Sequence, residues 1–181
     1  MELQYDILAP EVAVAKLPWA TAIVERDKLV FSTTLQAPAA EPVRDFLLEV
    51  VDLQPIKRFT ALGINNELHF GISSPDKWHK FGHRLVPKDD LWNKFLKEPG
   101  TRTVMVQGKR SDGARGSINV KVEPSTQLNP GIFVQVNDHF DADPETLEKD
   151  PEQLLTHLTE RWPAIIKRCD QIVAAIREFA T

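Results

Sequence analysis

Apolar and polar positions alternate most cleanly at residues 116–123, where Ile118, Val120 and Val122 are interleaved with Asn119, Lys121 and Glu123. A period of two places one set on each side of a β-strand, so this stretch predicts a strand with one dry and one polar face. On either side of it, Val104 and Val106 alternate with Met105 and Gln107, and Ile132, Val134 and Val136 alternate with Phe133, Gln135 and Asn137. Ser111-Asp112-Gly113 and Asn129-Pro130-Gly131 punctuate the three runs with turn-forming residues. The expected result is an antiparallel meander whose Val/Ile face is covered by another layer.

Earlier in the chain, residues 1–18 contain Pro10 and Pro18 and predict an extended N-terminal segment. Residues 19–24 and 29–34 predict a hairpin, and Val43, Phe46, Leu47 and Val50 recur at helical spacing over residues 41–51, with Pro42 in the first turn. Residues 56–72 favour strand but are interrupted at Gly63 and Asn65-Asn66, which suits either one long strand carrying a bulge or two strands, 56–64 and 67–72, joined by a tight turn; the shared parity of Leu62, Ile64, Leu68 and Phe70 favours the single strand. Ser74-Pro75-Asp76 is a helix start, followed by Trp78, Phe81 and Leu85 on one side; a second short helix is expected at residues 89–96, with Leu91, Trp92 and Phe95 as its apolar contacts.

Residues 141–150 are acidic and predict a solvated or poorly ordered connector, with Asp150 capping the helical segment of residues 151–179. There Leu158, Trp162, Ile165, Cys169, Ile172, Ile176 and Phe179 follow at alternating steps of four and three. Such a stripe suits either the chain's own core or pairing with the same helix of a second subunit, the core being the commoner use. Pro163 lies inside the pattern, which implies a kink or two successive helices.

The expected fold is therefore a single α+β domain over residues 1–181, with a mostly antiparallel five- or six-stranded sheet, covering helices and a long C-terminal helix. A chain of 181 residues buries roughly 68–70% of its unfolded surface and needs no disulfide or metal to build a core. Its one cysteine excludes an intramolecular disulfide and a cysteine-based zinc cluster. The formal charge of -4, from 22 basic and 26 acidic residues, gives no broad attraction to phosphate backbones and argues against nucleic acid. No apolar run of membrane-spanning length and no secretory leader pattern is present, so no membrane partner and a cytoplasmic location are expected.

Three polar groupings have chemical potential. His79 and His83 stand one helical turn apart and, with His69, offer imidazoles for a metal, although Lys80 and Phe81 break the metalloprotease pattern. Asn137, Asp138 and His139 put an amide, a carboxylate and an imidazole at a strand end; neighbours on a strand face opposite ways, which favours a capping role over a catalytic pair. Arg102, Lys109, Arg110, Arg115 and Lys121 surround the Asp112-Gly113 turn and have the donors to take a carboxylate or phosphate. No nucleophile elbow, phosphate-cradling loop or dinucleotide fingerprint occurs, and nothing calls for a cofactor. The leading functional expectation is a protein-interaction or homo-oligomeric adaptor-like module. It would associate through the C-terminal stripe of Leu158, Trp162, Ile165, Ile172, Ile176 and Phe179. The alternative is a small enzyme or a metal- or ligand-binding protein using a histidine-containing cleft.

Overall fold

The alternating segments become strands of two four-stranded antiparallel sheets rather than one sheet of five or six. A computed structural model of the chain describes residues 4–8, 12–35, 41–52 and 58–181. It divides into two units, Met1–Lys57 and Arg58–Thr181. Pro10, Pro38 and Ile56, which bear on the expected boundaries, lie outside the described residues.

In the first unit β1 (Gln4–Leu8), β2 (Val12–Lys16), β3 (Thr21–Glu25) and β4 (Leu29–Ser32) pair in chain order. The N-terminal segment is thus itself a pair of strands, with a register shift between Tyr5 and Ile7. Helix α1 (Glu41–Asp52) supplies Phe46, whose ring meets Trp19 edge-on at 5.5 Å and Phe31 at 5.4 Å. Such edge-to-face contacts set the positive rim of one ring on the negative face of another.

The second unit is built on β5 (Ala61–Gly71), β6 (Val104–Lys109), β7 (Gly116–Pro124) and β8 (Gly131–Asp141), in the order β5-β8-β7-β6. β6, β7 and β8 form the expected meander. β5 closes the far side of β8 and pairs with it continuously from Ala61–Asp141 to Gly71–Gly131, with no bulge at Asn65-Asn66. The Asn65 amide oxygen accepts from Asn137 Nδ2 at 2.8 Å, and Asn137 Oδ1 accepts from Asn119 Nδ2 at 3.0 Å. This amide ladder across three strands offsets the weak strand preference of asparagine. At Gly116, with φ of 121°, a Cβ would stand 2.1 Å from the His139 carbonyl oxygen, so only glycine admits the approach of β7 to β8.

Helices α2 (Pro75–Leu85) and α4 (Trp162–Ala180) contribute Phe81, Cys169 and Val173 to the core they share with Phe70, Val122, Ile132, Val134 and Val136 of the sheet. Ser74 caps α2 as expected, its Oγ accepting from Lys77 N at 3.3 Å with Pro75 in the first turn. The Trp78 indole donates to the Gly131 carbonyl at 2.9 Å and fastens α2 to the start of β8.

Pro163 divides the C-terminal segment into α3 (Thr156–Glu160) and α4, where it occupies the first turn and its missing donor breaks no helical bond. Leu158, Trp162 and Ile165 are buried, Ile172 and Ile176 pack on the sheet core, and Phe179, still 38% exposed, has the Arg84 guanidinium 3.8 Å from its ring centre. Most of the stripe therefore packs within the chain's own core, the commoner of its two expected uses.

Two other expectations change. The acidic stretch is a series of hydrogen-bonded turns because Ala142 and Leu147 insert into the interior, and Gln153 Oε1 accepts from Asp143 N at 2.8 Å. Asp150 falls inside these turns and caps no α-helix, since α3 begins at Thr156. The helix expected at 89–96 shrinks to a 3-10 turn at Trp92–Lys94, because residues 89–98 are exposed or nearly so and find no surface against which an apolar stripe can pack.

Candidate functional site

The three strand-end residues are split between the faces of the second sheet. Asn137 is held in the amide ladder, and His139 Nε2 lies 3.1 Å from Asp141 Oδ1 on the same outer face. Asp138 points inward, fully buried, where Arg110 Nη1 reaches its Oδ1 at 3.0 Å and Arg168 Nη1 donates to the same oxygen. Both guanidiniums hold the same oxygen, and Oδ2 is buried without a hydrogen-bond partner among the described residues. His139 is beyond its reach across the sheet.

Asp138 belongs to a larger charged cluster. Arg110, with no exposed side-chain surface, forms a bidentate pair with Asp112 at 3.0 and 2.6 Å and lies 3.8 Å from the centre of the Phe140 ring. Arg168 of α4 reaches Asp112 Oδ2 at 2.9 Å, and Arg161 donates to the Asp112 carbonyl at 3.1 Å. The hydrogen bonds from Arg110 hold the Asp112 carboxyl well below the usual carboxylate range. His157 stacks on Phe140 at 4.3 Å; burial, reinforced by Arg161 and Arg110, pushes its imidazole toward the neutral form. Forks of donors matched to planar carboxylates make this cluster a fastener between the β6–β7 turn, β8 and α4.

The cluster also redistributes the expected anion-binding residues. Arg110 is sealed inside it; Arg115 reaches toward Asp143 at 4.0 Å; Lys121 pairs with Glu123 at 3.3 Å on the outer face; Arg102 and Lys109 are exposed at opposite ends of β6. These five do not converge on one concave surface.

Of the three histidines, His79 and His83 are exposed on α2 and line a groove of about 260 Å³ with Trp78, Phe81, Leu85 and Val122. His69 stands elsewhere, on the outer face of β5, its Nδ1 2.9 Å from Ser125 Oγ and its ring 4.8 Å from Phe133. Among the described residues no three His, Cys, Asp or Glu side chains gather where they could hold a metal ion. Cys169 lies in the core, where burial raises its thiol to about 11 and keeps it protonated and unreactive near neutrality.

At the end of the groove, Lys88 is buried, its ammonium donating to the Gly82 carbonyl at 2.8 Å and also to Val86 O and Thr101 Oγ1. Burial lowers its pKa from the ordinary lysine value, while the three acceptors satisfy its three donors. It ties the C-terminal end of α2 to the approach to β6.

Between Lys88 and Thr101, residues 89–98 are all exposed. Leu91, Trp92, Phe95 and Leu96 are 53%, 43%, 75% and 52% exposed, four large apolar side chains within six residues. On the edge strand β6, Met105 and Val106 are likewise 64% and 61% exposed. Sequence reasoning placed Leu91, Trp92 and Phe95 in helix contacts and gave no warning of this exposure. Lys88, Arg161 and Arg168 were also missed, because an isolated basic residue in a helix or loop has no pattern that announces a buried partner.

No family model matches the chain, and no match to it was found among curated proteins or solved structures. No described helix is long and apolar enough to cross a membrane.

Proposed function

We propose that this chain is a protein-binding module, working in the cytoplasm, whose docking surface is the segment of residues 89–98. The observation that carries the reading is the exposure of Leu91, Trp92, Phe95 and Leu96 together. Each large apolar side chain moved out of water contributes on the order of 1.5–3 kcal/mol, and aromatic anchors dominate the energetics of protein interfaces. The two roots of the segment are already tied by the bonds of Lys88 and Thr101, which involve none of these four side chains. Neighbouring Lys94, Lys97, Asp89 and Asp90 supply the polar surround typical of such patches.

A photo-crosslinking amino acid at position 95, compared with one at exposed Lys80 on α2, tests this reading in cells. A discrete protein adduct from position 95 that disappears in the Trp92→Ser background is expected. No adduct, or equal labelling from both positions, would remove the interaction surface.

A second reading is favoured by the groove along α2: a small apolar ligand held against Phe81, Leu85 and Val122, with His79 and His83 at the rim. Titration with a fluorescent apolar probe and a Leu85→Trp variant that fills the groove distinguish it, since only groove binding is lost in that variant.

A further inference from the structure

We propose that β6 is a seam at which two copies of this chain pair, antiparallel, about a two-fold axis passing at Val106. The surface differs from the 89–98 segment, so the two readings stand or fall separately.

β6 has β7 on one side and no described strand on the other. An edge strand presents a row of unpaired backbone donors and acceptors, which proteins normally guard with charges, prolines or bulges. Along Val104–Lys109 there is no proline, the one charge is Lys109 at the strand's end, and the register with β7 has no shift. Its apolar side chains are instead left open, Met105 at 64% and Val106 at 61%. The opposite edge strand, β5, is different: Ile64 and Phe70 are already buried and its centre is Asn65-Asn66-Glu67. Apolar surface remains to be covered at β6.

The pleat restricts how β6 can meet its own copy. Residues directly opposite in an antiparallel pair must point to the same face, so a two-fold axis has to fall at a residue. An axis at Val106 sets Val106 against Val106, Val104 against Gly108, Met105 against Gln107 and Thr103 against Lys109. Val106 already stands beside Val120, and Val120 beside Val136. The pairing therefore extends one valine row, Val136-Val120-Val106, into its mirror partner across the seam. On the outer face Thr103 donates to Glu123 Oε1 at 3.0 Å. Lys109 of the second copy, opposite Thr103, lies within side-chain reach of that carboxylate, and symmetry repeats the pair. An axis at Met105 would place Lys109 opposite Thr101, and one at Gln107 would place it opposite Met105; neither gives Lys109 this acidic neighbour. Glu123 keeps Lys121 on its other oxygen at 3.3 Å, and Arg110, which this register sets opposite Arg102, is already neutralised by Asp112 and Asp138; the Lys109–Glu123 pair is the charge complementarity that points to the Val106 register and to a second copy as the occupant.

Size-exclusion chromatography with light scattering should give twice the 20.5 kDa chain mass. Opposed residues in antiparallel strands have Cα atoms about 4.5–5.5 Å apart, inside the range a disulfide bridges. Val106→Cys should therefore oxidise to a covalent dimer, and the double variant Thr103→Cys, Lys109→Cys should do the same. Lys109→Glu should raise the dimer dissociation constant about tenfold, and adding Glu123→Lys should restore it. Val106→Asp should give a monomer whose circular dichroism matches the parent, and Trp92→Ser should leave the dimer intact. A monomeric parent at the highest soluble concentration would overturn the proposal, even if residue 95 still crosslinks to another protein. So would a dimer in which folded Val106→Cys protein fails to link.

Discussion

β8 and β6 belong to the same sheet, share the strand rhythm of alternating sides, and end in opposite conditions. The inward side chains of β8, from Ile132 through Val134, Val136 and Asp138 to Phe140, are all buried. On β6, Val106 continues the same valine row but is 61% exposed. The cause is position: β8 has a strand on each side and the α4 helix above its inner face, whereas β6 has one neighbouring strand among the described residues. Alternation decides which way a side chain points, and the number of neighbouring elements decides what it meets there. On β8 the cover is complete enough to enclose a carboxylate and a guanidinium. On β6 it is so incomplete that two large apolar side chains remain in water.

The contrast is broken most forcefully at Asp138. Asp138→Ala removes the carboxylate that Arg110 and Arg168 share, and Arg110 has no route to solvent. Both guanidiniums keep Asp112 as a partner, so the loss is that of buried charge-assisted hydrogen bonds, about 1.5–3 kcal/mol each, rather than the larger cost of a stranded charge. Urea denaturation should show the loss as a lower midpoint with an unchanged slope. A loss below about 1 kcal/mol would mean that the cluster is held by solvent rather than by the enclosure of β8.

Asp112 sharpens the same point through pH. Its carboxyl titrates in the folded chain below the ordinary carboxylate range, chiefly through the hydrogen bonds from Arg110. A depressed folded pKa means that the unfolded chain binds the proton first. The contribution is therefore complete above the unfolded value near ~3.9 and fades as pH falls through that value toward the folded one. The stability difference between the parent and Asp112→Asn should be constant near neutrality and shrink in acid. A difference that grows on acidification would reverse the sign and remove Arg110 as the cause.

Much of this architecture could be read from the chain in advance, and the boundary of legibility follows the same division. The meander was plain because Ile118, Val120 and Val122 repeat with the pleat, and α2 was plain because Ser74-Pro75-Asp76 is a local signal. Asn65-Asn66 misled as to a bulge because ladder bonds to Asn137 come from a residue 72 positions away. The Arg110–Asp112–Asp138–Arg168 cluster was hidden for the same reason: only tertiary structure brings the turn, β8 and α4 together. Covering is likewise non-local. Leu91, Trp92 and Phe95 look like one side of a helix, but no spacing along the chain reports that the surface opposite them is water.

Two phenylalanines supply the smallest expected effect and its internal control. Phe140 has no exposed surface and is packed between strand neighbours, the Arg110 guanidinium and the His157 ring; Phe95 is 75% exposed. Removing a buried phenylalanine ring generally costs about 3–5 kcal/mol, because transfer and cavity terms add. An exposed substitution away from caps and special backbone usually stays within about 0.5 kcal/mol. Phe95→Ala should therefore melt with the parent, and its urea midpoint should not move. A stability loss approaching that of Phe140→Ala would show that residue 95 is buried within the folded chain in solution. In that case the 89–98 segment closes part of the protein's own core, and an external partner is no longer needed to account for its apolar side chains.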